Sequence, residues 1–323
     1  MGVRARIAFA VVTAVTFVGT AMPSAAQDNY PSRPITMITP EVVGSAADLL
    51  SRVIARLLAD AYGQPVTIEN IYLEAGVEKA IKSPPDGYTL MYGSSGNMAL
   101  LPHVKKVAFN PLKDLTPVAR FVLQPTLIAV NPSLPVNTLQ ELVALMKEKP
   151  GTLKMSTAGA GTAGHFAGEM LIAMAGVKPI VAHYNGGGPA IDAVVNNDSQ
   201  WTVAPIAGRM PHVRSGKLRA VAIGGPTRLS LLPEVPTVIE SGYPGYSATG
   251  WGGVFVPNGT PQPIIDKLVA TIAKVVTLPE AKKLFEEQGT EGASSTQAEM
   301  ATILRDDTER LGEIAKRLGL KVN

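Results

Sequence analysis

The chain has 323 residues, with 29 basic side chains, 26 acidic side chains and no cysteine. Without cysteine it cannot form a disulfide, a thiolate metal site or a thiol nucleophile, and its near balance of charge leaves no basic surface suited to nucleic acid. A chain of this length usually folds as two domains with substantial hydrophobic cores.

The amino terminus has the pattern of a secretory signal. Arg4 and Arg6 precede an apolar stretch over residues 7–18, and small residues follow at 24–26. The apolar stretch is shorter than the roughly 20 residues that a membrane-spanning helix needs. We therefore predict a cleavable signal peptide over residues 1–26 and a mature protein in the periplasm, with 27 basic and 26 acidic side chains.

Strand and helix patterns alternate along the rest of the chain. Strands are predicted at 35–39, 66–69, 88–92, 127–130, 153–156, 179–182 and 253–256. Helices are predicted at 47–61, 138–148, 163–175, 263–276, 279–288 and 297–318. This alternation is typical of parallel sheets covered on both faces by helices, so the expected class is α/β.

The domain organisation is predicted from proline and glycine clusters between residues 224 and 245 and from the strand pattern that follows them. The chain is expected to enter a second domain near residue 128 and to return near residue 232. The predicted domains are residues 27–128 with 233–323, and residues 129–232.

Three strand patterns break into loops of small residues before a helix begins, at 40–48, 93–97 and 157–165. The first N–H groups of a helix have no partner within the helix and carry a partial positive charge. Loops of this kind therefore suit a ligand with negative charge. Together, the three loops predict a cleft that binds an anion.

Other interpretations of the same loops are less consistent with the sequence. The glycines at 159, 161 and 164 have dinucleotide-binding spacing, but His183, Tyr184 and Asn185 stand where an acidic residue should follow. Ser94 and Ser95 resemble a nucleophile elbow that would need glycine in place of Asn97. No cofactor is predicted.

The four histidines do not have the spacing of metal ligands. No metal site is predicted. A serine hydrolase would need one histidine beside Ser94 or Ser95, which the sequence neither shows nor excludes. His165 begins a predicted helix, where its ring would either reach a bound anion or be satisfied locally.

A series of collinear motifs over residues 30–320 resembles the Bug (Bordetella uptake gene) family. The motifs include Tyr30-Pro-Ser-Arg-Pro-Ile35, Pro85-Asp-Gly-Tyr-Thr-Leu90, Gly93-Ser-Ser-Gly96, His165-Phe-Ala-Gly-Glu169, Leu232-Pro-Glu-Val-Pro-Thr237 and Pro257-Asn-Gly-Thr-Pro261. The resemblance implies a two-lobed type II periplasmic binding protein fold, each lobe a mainly parallel sheet flanked by helices. It also implies a solute receptor that binds a small organic acid and delivers it to the permease subunits of a tripartite tricarboxylate transporter.

We also expect a monomer without enzymatic activity. Two alternatives stay open: a ligand-sensing partner of a membrane sensor kinase, and a periplasmic serine hydrolase that uses Ser94 or Ser95. The residues expected to contact the ligand come from the loops after several strands. They are Glu41, Val42, Val43, Gly44, Ser45, Ala46, Asp48, Ser94, Ser95, Asn97, Ser156, Thr157, Ala158, Gly159, Gly161, Thr162, His165, Tyr184, Gly187 and Ala204.

Two acidic residues depart from the family pattern. Glu41 stands where an aromatic residue is usual, and Glu74 stands where a glycine-rich loop is expected. Both would place negative charge close to the anion cleft. For Glu41 three outcomes are open: it pairs with a positive group on the ligand, it is protonated when the ligand is bound, or the site no longer binds a carboxylate.

Overall fold

A computed structural model describes residues 29–320, so the predicted signal peptide lies outside the described part of the chain. The strands are β1 (Ile35–Thr39), β2 (Val66–Asn70), β3 (Thr89–Ser94), β4 (Leu115–Val130), β5 (Lys154–Thr157), β6 (Ile180–His183), β7 (Trp201–Pro205), β8 (Arg219–Ile223), β9 (Thr249–Pro257) and β10 (Glu291–Gly292).

The helices lie mostly between these strands. They are α1 (Ala46–Tyr62), α2 (Glu74–Ile81), α3 (Leu101–Val104), α4 (Leu139–Glu148), α5 (Ala163–Ala175), α6 (Gly187–Val195), α7 (Met210–Arg214), α8 (Gln262–Val275), α9 (Pro279–Glu287) and α10 (Gln297–Arg317). A π-helical turn, Ser95–Leu100, follows β3 directly. The predicted α/β class is confirmed.

One long strand belongs to both halves of the molecule. The first lobe has the strand order β2-β1-β3-β9-β4, with β10 also on β4. In it β1 is parallel to β2 and β3, whereas β9 is antiparallel to β3 and to the first part of β4. In the second lobe the last five residues of β4, Thr126–Val130, pair antiparallel with β7, and the last four of them also pair antiparallel with β8.

Each lobe therefore has a mixed sheet built around three parallel strands. In the second lobe these are β7, β5 and β6, which pair in that order. The expected two lobes are present. The antiparallel pairs are those of β9 with β3 and β4 in the first lobe and of β4 with β7 and β8 in the second.

The packing of the segment after β8 bears on where the chain leaves the second lobe. Val238 and Tyr246 are fully buried in the hydrophobic core that contains Trp201 and Met155. This core is separate from the one in the first lobe, which contains Ile38. We propose crossings near residues 125 and 248, the second of them later than the predicted boundary at residue 232.

Local sequence signals explain where the site-bearing helices begin and end. The Ser45 hydroxyl caps α1 by accepting a hydrogen bond from the Asp48 N–H, and Gly63 ends the helix in the left-handed conformation at φ 63°. The Thr162 hydroxyl caps α5 in the same way. The predicted helix at 163–175 is confirmed residue for residue, and α1 extends the predicted helix by one residue at each end.

The sequence underestimated β4, which was predicted only over its last four residues. Pro117 and Pro125 lie inside the strand, although neither has an N–H group to donate to a ladder. In the structure the pairing with β9 shifts register beside Pro117. The carbonyl of Pro125 accepts a hydrogen bond from the Ile206 N–H at 3.0 Å. Both prolines are therefore accommodated.

The cap of α4 provides a test of this local reasoning. The Thr138 hydroxyl accepts from the Glu141 N–H, and the Glu141 carboxylate accepts from the Thr138 N–H. We expect Thr138→Ala to lower the free energy of unfolding by about 1 kcal/mol in urea denaturation, and Thr138→Ser to retain most of it. An equal loss in both variants would contradict a role for the hydroxyl.

Candidate functional site

A pocket open to solvent lies between the two lobes. Loops that follow parallel strands of both lobes form most of its wall, as expected for ligand sites in α/β sheets. The lining residues are Glu41, Ser45, Ala46, Ala47, Leu73, Tyr92, Ser94, Gly96, Asn97, Leu101, Gln124, Ala158, Ala160, Gly161, Thr162, Ala163, Gly164, Gly187, Ala204, Pro205 and Arg209.

Three helices begin at this pocket. The first residues of α1, α5 and α6 are Ala46, Ala163 and Gly187, and all three line it. The N-terminal N–H groups of a helix carry a partial positive charge, equivalent to about half an elementary charge per helix. Helix termini from both lobes therefore favour an anion in the same pocket.

Asp48 supports the first loop and does not line the pocket. Its buried carboxylate accepts hydrogen bonds from the Gly44 N–H at 2.9 Å, from Asn70 Nδ2 at 3.0 Å and from Arg52 Nε at 3.1 Å. Burial opposes ionisation, but the bonds from Arg52, Gly44 and Asn70 together lower the pKa of Asp48. In the structure Asp48 therefore holds the loop in place from outside the pocket lining.

Glu41 lines the pocket, and its backbone is held by the hydrogen bonds around Asp48 and Asn70. Its carbonyl oxygen accepts a second hydrogen bond from Asn70 Nδ2, at 3.1 Å. Within residues 29–320 its carboxylate has neither a hydrogen bond nor an ion pair. Burial raises the pKa of Glu41 from an ordinary 4.5 to about 7.

Glu74 differs from Glu41 because it is paired outside the pocket. Its carboxylate lies 2.7 Å from Lys105 Nζ. Burial opposes ionisation here as well, but the hydrogen bond from Lys105 lowers the pKa of Glu74. Of the two acidic departures from the family pattern, only Glu41 therefore presents its charge to the ligand pocket.

The turn after β3 contributes polar side chains to the pocket floor. Ser94 and Asn97 form a reciprocal cap, in which each side chain accepts a hydrogen bond from the other's N–H. Beside them Gln124 Nε2 donates to the Tyr92 hydroxyl at 2.5 Å. Ser95 lines a neighbouring cavity and not this pocket.

Two histidines contact the end of β5 and the loop that follows it in the second lobe. His165 Nδ1 accepts a hydrogen bond from the Gly161 N–H at 3.1 Å, and its Nε2 lies 3.5 Å from a Glu169 oxygen. His183 Nδ1 is 2.8 Å from the Thr157 hydroxyl. Of the two possibilities for His165, the structure shows the local one.

The predicted site residues therefore divide into two groups. Those that line the pocket are Glu41, Ser45, Ala46, Ser94, Asn97, Ala158, Gly161, Thr162, Gly187 and Ala204. Those that lie outside its lining are Val42, Val43, Gly44, Asp48, Ser95, Ser156, Thr157, Gly159, His165 and Tyr184. Most of the second group support the loops, as Tyr184 does by a 3.1 Å contact between its hydroxyl and that of Ser199.

Arg209 is the most important lining residue that the sequence reading missed. It follows β7 on the second lobe and is only 3% exposed. Its Nη1 donates to the carbonyl of Pro205 at 3.0 Å, while its buried Nε has no hydrogen-bond partner within residues 29–320. Burial lowers the pKa of Arg209 to about 10, so it stays charged at neutral pH. A lone arginine within the mainly apolar stretch 201–213 was the available signal.

The two lobes touch across the pocket, as in a closed clamp. A methyl group added to Gly186 would lie 2.5 Å from Val42 Cγ2, and one added to Gly187 would lie 3.5 Å from Ser45 Cα. The loop before α6 therefore packs against the loop before α1.

A family model described as the tripartite tricarboxylate transporter family receptor matches residues 50–320. The chain belongs to this receptor family. The resemblance drawn from the sequence motifs is thereby confirmed. The receptor is 32% identical over 312 residues to Protein BugT of Bordetella pertussis, with 94% of each chain covered.

Solved structures share the receptor's fold. An adipate-bound protein from Rhodopseudomonas palustris matches with a TM-score of 0.86 and 28% identity, covering 90% of this chain and 99% of that one. MatC from Rhodopseudomonas palustris, with bound malate, matches with a TM-score of 0.79 and 28% identity over 88% and 99% of the two chains. The type II periplasmic binding protein fold is confirmed.

Members of this family are periplasmic binding receptors and not enzymes. Within residues 29–320, no hydrogen bond joins Ser94 or Ser95 to a histidine. Over the same residues, no helix has both the length and the apolar character required to cross a bilayer.

Glu41 should give the receptor a specific pH dependence. Its pKa is about 7 in the folded state and near 4.5 in the unfolded chain, so the folded state binds the proton more tightly. Its contribution to stability is full below pH 4.5 and is lost as the pH rises through 7. We expect the free energy of unfolding to fall by about 2 kcal/mol more in wild type than in Glu41→Gln between pH 5 and 8. Parallel pH profiles in urea denaturation would contradict this assignment.

Gly187 allows a test of closure. An alanine Cβ there would make ordinary contacts of 3.5 Å and 3.8 Å with Ser45, whereas a leucine would project into the contact between the lobes. We expect Gly187→Ala to keep ligand affinity within a few-fold and Gly187→Leu to lower it at least about 10-fold, with little change in ligand-free melting temperature. Calorimetric titration measures both, and equal affinities would contradict the closed arrangement.

Proposed function

We propose that this receptor captures a small organic acid in the pocket between its lobes and delivers it to the membrane subunits of a tripartite transporter. The observation that carries the proposal is the convergence of the N-termini of α1, α5 and α6 on one pocket. Similar proteins hold adipate and malate, both dicarboxylates, which supports a carboxylate as the recognised group.

The proposed contacts combine main-chain and side-chain groups. N–H groups at the starts of the three helices would donate to the carboxylate, and the hydroxyls of Ser45, Ser94 and Thr162 would add polar contacts at its edge. The predicted residues outside the lining would act by holding these loops in place. Asp48 and His165 are the clearest examples.

Delivery requires the permease to distinguish loaded from empty receptor. Because both lobes contribute to the pocket, a ligand that bridges them stabilises the closed arrangement and thus one particular outer surface. We propose that a monomer presents this surface to the permease subunits. A membrane sensor kinase would read the same surface.

The proposal is tested by ligand-dependent stability. A ligand that binds only the folded receptor, at 100 times its Kd, should add about 2.7 kcal/mol to the free energy of unfolding and raise the melting temperature. The panel should contain mono-, di- and tricarboxylates, aromatic acids and amino acids. Gly187→Leu serves as the control: with its affinity lowered at least about 10-fold, the same ligand concentration should add no more than about 1.4 kcal/mol. If no compound in the panel stabilises wild type, the receptor is not an organic acid receptor.

A further inference from the structure

Two side chains of opposite charge line the pocket without a charged partner. Arg209 is on the second lobe and Glu41 on the first. The other charged groups near the loops are paired: Asp48 with Arg52 at 2.9 Å and Glu74 with Lys105 at 2.7 Å. The pocket thus retains one cation and one anion for an incoming molecule.

Arg209 is a buried residue of the pocket wall. It is 97% buried, and two backbone carbonyls, of Pro205 and Ala207, hold its Nη1. Its Nε has no partner, and no carboxylate within residues 29–320 lies within ion-pair distance. A buried guanidinium with unpaired N–H groups is costly unless an anion completes its hydrogen bonds.

Glu41 completes the pattern on the opposite lobe. Asn70 holds the backbone of Glu41, and the Glu41 side chain lines the pocket. No ion pair joins Glu41 to Arg209, although both line the same space. A molecule placed between them can satisfy both charges at once, whereas a simple dicarboxylate would bring like charge against Glu41.

We propose that the ligand is a small organic acid that also carries a positively charged group, as an amino acid does. Its carboxylate binds Arg209 and the helix N-termini, and its ammonium group binds Glu41. This inference rests on the proposed receptor function and specifies its ligand class. A ligand of this kind bridges the two lobes through charge as well as through main-chain contacts.

A protonated Glu41 provides the competing explanation. In that state the carboxyl group would donate a hydrogen bond to a second carboxylate of the ligand, and no ammonium group would be needed. The two explanations differ in which member of a matched pair binds more tightly. They also differ in the effect of Glu41→Gln, since glutamine can still donate a hydrogen bond but cannot balance a positive charge.

The experiment is calorimetric titration of two matched pairs, succinate with aspartate and glutarate with glutamate, at pH 7.5. In wild type we expect the amino-bearing member of at least one pair to bind about 10-fold more tightly or better. In Glu41→Gln that preference should disappear, mainly through weaker binding of the amino acid. Equal shifts for both members, or tighter binding of the unsubstituted acid to wild type, would overturn the proposal.

Arg209 is tested in the same titrations. Arg209→Met should weaken both members of a pair at least about 10-fold because both carry the carboxylate, while Arg209→Lys should weaken them less. Ligand-free melting temperatures show whether each variant folds, and the lysine variant preserves the test if the methionine variant does not. Unchanged affinities in both variants would exclude Arg209 from the site.

The panel used for the proposed function separates the two possible failures. If wild type is stabilised by other carboxylic acids but binds neither amino acid better than its unsubstituted partner, the receptor function stands and the zwitterionic ligand is wrong. If no organic acid of any class stabilises the protein, the receptor function itself fails.

Discussion

The buried carboxylate of Asp48 is the interaction on which the pocket depends. It binds the Gly44 N–H, Arg52 and Asn70, so one side chain ties the loop after β1 to α1 and to the end of β2. Asn70 then fixes the backbone of Glu41. Without this network neither the start of α1 nor the Glu41 carboxylate would have a defined position, because a loop of small residues has little structure of its own.

Both lobes contribute residues to the proposed ligand pocket. The first lobe brings α1 and Glu41, and the second brings α5, α6 and Arg209. In the proposed function neither lobe alone encloses the ligand, so occupancy would be coupled to closure, and closure would be the signal to the permease. The continuous strand β4 links the lobes while leaving them distinct cores.

Much of the fold could be predicted because its signals are local. The spacing of apolar residues located α5 and α1 to within a residue. By contrast, β4 was predicted only over its last four residues, because its length depends on pairing with β7, β8 and β9, which lie far along the chain. Each of the three predicted loops contributes residues to the pocket lining, but which of its residues do so depends on tertiary packing.

The sequence by itself determined the α/β class and the family, and it predicted three loops suited to an anion, because each of these depends on residues close together in the chain. The tertiary structure alone decided that Asp48 supports the loop, that Glu74 is neutralised by Lys105, and that Arg209 faces the same pocket as Glu41. These outcomes join residues far apart in the chain, and their chemistry is set by which groups burial leaves without partners.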